Sequence, residues 1–178
     1  MIANIGPASF AGHAKPVLWP VLAALVAGYA ALPAFAADLG KAAPDVALRS
    51  ADGTVQQLSA LRGKTVYLDF WASWCIPCRQ SFPWMGELQR KYAERDLVVI
   101  AINLDTKNAD AEVFLGKYPA TFRLAFDADG TSAKSFGVKA MPTSFVIGRD
   151  GTMRYEHRGF RESQTEVVET EIRRALEK

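Results

Sequence analysis

Cysteine is scarce in this 178-residue chain: there are two, Cys75 and Cys78, three positions apart. Histidine is equally scarce, with only His13 and His157. A tetrahedral structural zinc site takes about four nitrogen or sulfur ligands, and His13 lies in an N-terminal apolar segment, so no metal site is expected. A Ser-His-Asp triad would have to rest on His157 alone. A surplus of one charge is also missing. The formal net charge is +2, which gives no electrostatic footprint for nucleic acid. There is no run of like charges, no internal repeat, no low-complexity tract and no Met-rich or His-rich stretch. Hydrophobic residues make up 49% and charged residues 22%, a balance that supports a packed core and excludes bulk disorder.

What the chain does have begins with a leader. Residues 17–36 are almost wholly apolar and carry no charge, with Lys15 just before them. They end on Ala34-Phe35-Ala36, a small-x-small pattern suited to signal peptidase, with Pro33 breaking the helix just upstream. Residues 1–36 therefore read as a cleaved secretory signal, and residues 37–178 as one mature domain. The competing reading is an uncleaved anchor, because about 20 apolar residues can span a bilayer. Pro20, Pro33 and the cleavage pattern weigh against it. No cysteine lies near the leader's end, which removes a lipoprotein anchor. Either way the folded part faces the far side of the membrane. Exported proteins usually keep cysteines as structural disulfides, but a bridge closing so short a loop constrains the unfolded chain little. The Cys75–Cys78 spacing suggests chemistry rather than stapling.

Three Asp-Gly pairs, Asp52-Gly53, Asp129-Gly130 and Asp150-Gly151, mark tight turns. The first is expected to close a hairpin between residues 46–48 and 55–58, the third a hairpin between residues 144–147 and 153–157. Residues 66–71 form a nearly unbroken apolar run and read as a strand buried on both faces, as do residues 97–102. Between them Phe82, Met85, Leu88 and Tyr92 recur at helical spacing. Strand, helix, strand is the signature of a parallel pair. A helix is expected over residues 108–117 and a short strand over 123–126. The tail, residues 162–178, reads as a closing amphipathic helix with Val167, Val168, Ile172 and Leu176 on one side. The fold class is thus α/β, with a central mixed sheet flanked by helices and no second domain.

Cys75 follows the first central strand and is expected at the start of the next helix. Helix N-termini offer free N–H groups and partial positive charge, which stabilise a thiolate, the attacking species in disulfide exchange. Cys78, one turn deeper, can close onto the first sulfur. That gives the two-step logic of exchange: Cys75 attacks, and Cys78 resolves the mixed disulfide. Pro77 sits where its missing N–H costs little. Asp69 interrupts the apolar run. A carboxylate buried there has a raised pKa and could take and return the Cys78 proton; the alternative is that it faces a solvated pocket at the strand end. Met141-Pro142-Thr143 opens an apolar run, and a proline is tolerated at a strand start. From the residues alone its peptide bond is trans by default.

Together, Tyr67-Leu68-Asp69-Phe70-Trp71-Ala72-Ser73-Trp74-Cys75-Ile76-Pro77-Cys78-Arg79, Pro83 and Met141-Pro142-Thr143 resemble the thioredoxin superfamily over nearly the whole mature chain. The resemblance implies a thioredoxin-like fold in which Trp74 flanks the nucleophile and Pro83 kinks the active-site helix. It also implies that Pro142 is cis and that Met141 offers backbone groups to a substrate. Trp74, Ile76, Pro77, Met141 and Pro142 would form the substrate-binding surface around Cys75, Cys78 and Asp69. From Asn103 to Pro142 there are about twenty more residues than a plain thioredoxin has. With the N-terminal hairpin and the leader, this central insertion resembles TlpA/ResA-type thiol–disulfide reductases. Those are periplasmic or membrane-tethered reductants that commonly serve cytochrome c maturation or keep exported cysteines reduced. The resemblance implies disulfide-bearing exported proteins as partners, a membrane thiol electron donor and no cofactor; a monomer is expected. Three positions depart from the pattern. Ser81 stands where many such reductases carry glutamate, Asp69 where they often carry asparagine, and Ala101 where thioredoxins place a lysine. Cytochrome c maturation therefore ranks below a general reductase role. Two further readings stay open: a dithiol oxidase, and a copper-binding or delivery module, since two soft sulfurs suit Cu(I). A thiol peroxidase lacks its Pro-Thr-Cys arrangement.

Overall fold

The structure is a computed structural model that describes Met1 and residues 39–177. Apart from Met1, the expected leader lies outside the described residues. Strands β1 (Ala47–Arg49) and β2 (Val55–Gln57) pair antiparallel as a separate hairpin. Its turn is closed by the Asp52 carboxylate accepting the Thr54 N–H at 2.9 Å, with Gly53 at φ 84°, a conformation glycine adopts without a Cβ clash. Leu58 leaves the hairpin and starts a single 3-10 turn, Leu58–Leu61.

The main sheet has five strands in the order β5-β4-β3-β6-β7. Strand β3 (Thr65–Trp71) is central and buried along its whole length. Helix α1 (Cys78–Tyr92) carries the chain to β4 (Leu97–Asn103), parallel to β3. Helix α2 (Asn108–Lys117) leads to β5 (Arg123–Phe126), parallel to β4 at the edge. A short helix, α3 (Thr131–Ser135), precedes β6 (Thr143–Ile147), which pairs antiparallel with β3. Strand β7 (Met153–Arg158) completes the sheet, and α4 (Thr165–Leu176) follows a 3-10 turn, Glu162–Gln164.

Alternation along β3 divides the core in two. Tyr67 and Trp71 point to one face, where they pack with Cys75, Cys78, Phe82, Met85, Phe114, Val168 and Ile172. Val66, Leu68 and Phe70 point to the other, against Val46, Leu48, Leu58, Phe136 and Phe145. So α1, α2 and α4 cover the cysteine face, and the N-terminal hairpin, the first 3-10 turn and α3 supply the cover for the other. Burying one large side chain such as Phe70 contributes roughly 1.5–3 kcal/mol. Gln89 ties α1 to β4: its amide donates to the Leu97 carbonyl (3.1 Å) and accepts the Val99 N–H (2.8 Å).

Two local expectations need correction. Val167 is exposed, and the buried stripe of α4 is Val168, Ile172, Ala175 and Leu176. Neighbouring residues lie about 100° apart on a helix, so Val167 and Val168 cannot share a narrow seam. The short helix α3 was also not anticipated. It follows Gly130, at φ 70°, and is anchored by Asp127, whose carboxylate accepts the Ser132 and Ala133 N–H groups.

Candidate active site

Strand β3 delivers the chain to the site. Beyond Trp71 the backbone leaves the sheet, turns through residues 72–77 and enters α1. The turn is held by the Cys75 N–H donating to the Ala72 carbonyl at 3.0 Å. Cys75 and Cys78 are joined as a disulfide. Helix α1 begins at Cys78, not at Cys75. The reason is local: Pro77 supplies the αR conformation that opens the helix, and the first α1 hydrogen bonds run back to the Ile76 and Pro77 carbonyls. Cys75 still meets the helix end, because its Sγ accepts the Cys78 N–H at 3.3 Å. Both cysteines are buried in this oxidised state, Cys75 at 3% exposure. Their flanks are not: Trp74 is 66% and Ile76 68% exposed.

Asp69 lies two residues before Trp71, on the cysteine side of the sheet, and is 1% exposed. It faces no solvated pocket. Its ladder neighbours are Ala101 on β4 and Ser144 on β6, so no lysine stands across from it. Burial holds its carboxyl well above the usual carboxylate range, and its Oδ2 is buried without a hydrogen-bond partner. Tyr67, two residues earlier on the same face, has its phenol pushed up by burial and by the Asp69 charge, with a hydrogen bond to Ser144 acting the other way.

The Met141-Pro142 bond is cis, which corrects the trans default and matches the thioredoxin-like pattern. Pro142 is buried, and its carbonyl accepts the Gly159 N–H at 2.7 Å. Met141 packs against the cluster that holds both cysteines. Ser81 is buried and donates its hydroxyl to the Cys78 carbonyl at 3.2 Å. One further polar cluster, Ser73, Asn103 and Asp105, carries no local sequence signal; it links the turn before Cys75 to the end of β4. Among the described residues no group of three or more His, Cys, Asp or Glu could hold a metal ion.

A disulfide that runs into the start of a helix, with Met141 of a cis-proline step packed against its cluster, invites comparison with known proteins. The model of the Redoxin family matches residues 38–172. The chain belongs to the Redoxin family. Within it, the chain is similar to the thiol-disulfide oxidoreductase ResA of Bacillus cereus (strain ATCC 10987 / NRS 248), 36% identical over 122 residues, covering 68% of this chain and 70% of that protein. The thioredoxin-like protein YneN of Bacillus subtilis (strain 168) is 35% identical over 123 residues, 67% of this chain and 71% of that one. A crystal structure from Chlorobium tepidum, assigned as thiol:disulfide interchange protein DsbE, superposes with a TM-score of 0.76 at 50% identity, covering 79% of this chain and 99% of that one. This Redoxin-family chain is therefore a thiol–disulfide oxidoreductase of the TlpA/ResA type with a thioredoxin-like fold. Among the described residues no helix is long and apolar enough to cross a membrane.

Proposed function

We propose that the protein is an exported reductant of protein disulfides. Residues 1–36 serve as its cleaved secretory signal, and residues 37–178 act in the periplasm as a monomeric thioredoxin-like domain. In the reduced enzyme the Cys75 thiolate attacks a client disulfide. One client sulfur bonds to Cys75, and the other leaves as a thiolate and takes up a proton. Cys78 then gives its proton to the Asp69 carboxylate and attacks the Cys75 Sγ, closing the Cys75–Cys78 disulfide and expelling the second client sulfur as a thiolate, which takes up the proton that Asp69 returns. Two electrons have passed to the client. A membrane thiol electron donor returns them, and no cofactor takes part. Trp74, Ile76, Pro77, Met141 and Pro142 form the surface on which the client segment lies.

The observation that carries the reductant reading is the buried Asp69. A strong oxidant needs a stabilised reduced form, which means a stabilised thiolate. Here the residues between the cysteines are Ile76 and Pro77, neither a cation, and a carboxyl lies on the sheet face against which the cysteines pack. When ionised, an acid in that position opposes a thiolate, and when protonated it gives the thiolate no positive charge. Disulfide-bearing exported proteins in general are the client class, and cytochrome c maturation is a narrower role that Ser81, in place of glutamate, makes less suited.

The test uses the purified full chain with a disulfide-bearing test protein and a supply of small dithiol. Catalysed reduction is expected, Cys75→Ser abolishes it, and Cys78→Ser accumulates the mixed disulfide. Full activity in Cys75→Ser would sink the reading.

A further inference from the structure

Within the turn that presents Cys75, one backbone bond, from the Cys75 N–H to the Ala72 carbonyl, is internal. The turn lies beyond the last ladder residue of β3, Trp71; Ala72 and Cys75 are buried, but the side chains of Trp74 and Ile76 stand in solvent, so packing holds only part of it. The anchoring comes from the neighbouring strand. Leu104 donates its N–H to the Trp71 carbonyl at 2.9 Å. One residue on, the Asp105 carboxylate closes on Ser73: Oδ2 accepts the Ser73 N–H at 2.9 Å and Oδ1 accepts the Ser73 hydroxyl at 3.0 Å. Asn103 braces the clamp, donating its amide to Asp105 Oδ2 at 2.8 Å and accepting the Asp105 N–H at 3.1 Å. Asp105 is 5% exposed and Asn103 is fully buried. Among the described residues no cation forms an ion pair with Asp105, so three hydrogen bonds offset the desolvation of its carboxylate. A two-point hold on one residue fixes both position and rotation of the backbone, which a single bond does not.

We infer that Asp105 is a positioning residue for thiol–disulfide exchange: its carboxylate clamps Ser73 and so sets where Cys75 sits against the start of α1. The inference rests on Cys75 being the attacking sulfur. The clamp matters because the Cys75 Sγ is covered by one helix N–H, that of Cys78. Once the disulfide opens, the covalent link to Cys78 no longer fixes the sulfur, and the backbone of the turn has to keep it in line with that donor. A turn that drifts loses the donor and the attack geometry together, and reaction rates are steep in such displacements.

The test compares three full-length proteins. Asp105→Ala removes the clamp. Asp105→Asn keeps its shape: the amide oxygen can accept from the Ser73 N–H and Asn103, while the Ser73 hydroxyl turns to accept from the new amide. Asp105→Ala is expected to lower kcat/KM for client reduction by about 10-fold or more. It is also expected to move the pH profile of Cys75 carboxymethylation upward, because a thiolate without its N–H donor is less favoured. Asp105→Asn should recover most of both. Failure to recover with Asp105→Asn would mean that charge, not positioning, matters, and would overturn the proposal. So would wild-type kinetics and profile in Asp105→Ala. If Asp105→Ala does not fold, Ser73→Ala, which removes the hydroxyl half of the clamp alone, must show the same two changes in smaller measure; wild-type behaviour there overturns it. Activity that survives Cys75→Ser in the wild-type background would instead defeat the underlying reading of the nucleophile.

Discussion

Asp69, near the end of β3, and Asp105, just past the end of β4, are both buried, and they sit on neighbouring strands of one sheet. Asp105 is surrounded by donors, with both oxygens occupied. Asp69 has an oxygen with no partner, and burial pushes its carboxyl toward the protonated form. The first arrangement suits a carboxylate whose task is to hold backbone. The second leaves a carboxyl able to change protonation state, since an oxygen without a donor partner does not resist taking a proton. Two acids of the same type, one strand apart, are thus fitted to different work by the donors around them.

Substitution can break this contrast. If Asp69 takes the Cys78 proton as proposed, Asp69→Asn removes that acceptor without changing shape. Steady-state reduction of a protein disulfide at neutral pH should fall by about 100-fold, within the usual range for a general base, while the first attack by Cys75, followed by stopped flow, should be nearly unaffected. Asp105→Ala leaves the Ser73 and Asn103 donors unsatisfied in a buried site. Urea unfolding should show a loss of about 2–3 kcal/mol.

On stability Asp69→Asn should act in the opposite direction, and the sign follows from linkage. A carboxyl whose pKa is raised in the folded state binds more protons folded than unfolded. Its contribution to stability is fully present below the ordinary carboxylate pKa and is lost as pH rises toward the raised folded value. Wild-type stability should therefore fall with pH across that window, and the fall should be shallower in Asp69→Asn. Above the window the variant should be more stable by about 1–2 kcal/mol, since a buried charge without a partner has been removed. A pH-independent difference between the two proteins would show that Asp69 does not titrate with a raised pKa. The smallest effect is expected from Ser73→Ala, about 0.5–1 kcal/mol in the same unfolding assay, because the Ser73 N–H remains to bind Asp105.

Much of the fold can be read along the chain. Residues 66–71 and 97–102 are apolar on both strand faces because both faces are covered, and they appear as the two central strands. The helix over 108–117 and the strand over 123–126 appear at the expected bounds. What escaped depends on contacts between distant residues or on one bond. Ser73 and Asp105 are 32 positions apart, and neither belongs to a local pattern, so only the pairing of β3 with β4 makes them neighbours. The cis state of Pro142 is invisible in residue type alone, since most X–Pro bonds are trans; it is the thioredoxin-like resemblance that implies it. The start of α1 at Cys78 was set by Pro77, whose role as opening residue competes with Cys75 for the same position. Asp69 was legible for the opposite reason: one acid inside a run of apolar residues is a local anomaly that requires no fold to notice.

The equilibrium reduction potential of the Cys75–Cys78 pair tests the central claim most directly. If an acid on the cysteine face leaves the thiolate unstabilised, the potential measured against glutathione or dithiothreitol should lie near the thioredoxin value of about −270 mV. A value near about −120 mV, that of a strong oxidant, would contradict the assignment of this protein as a reductant.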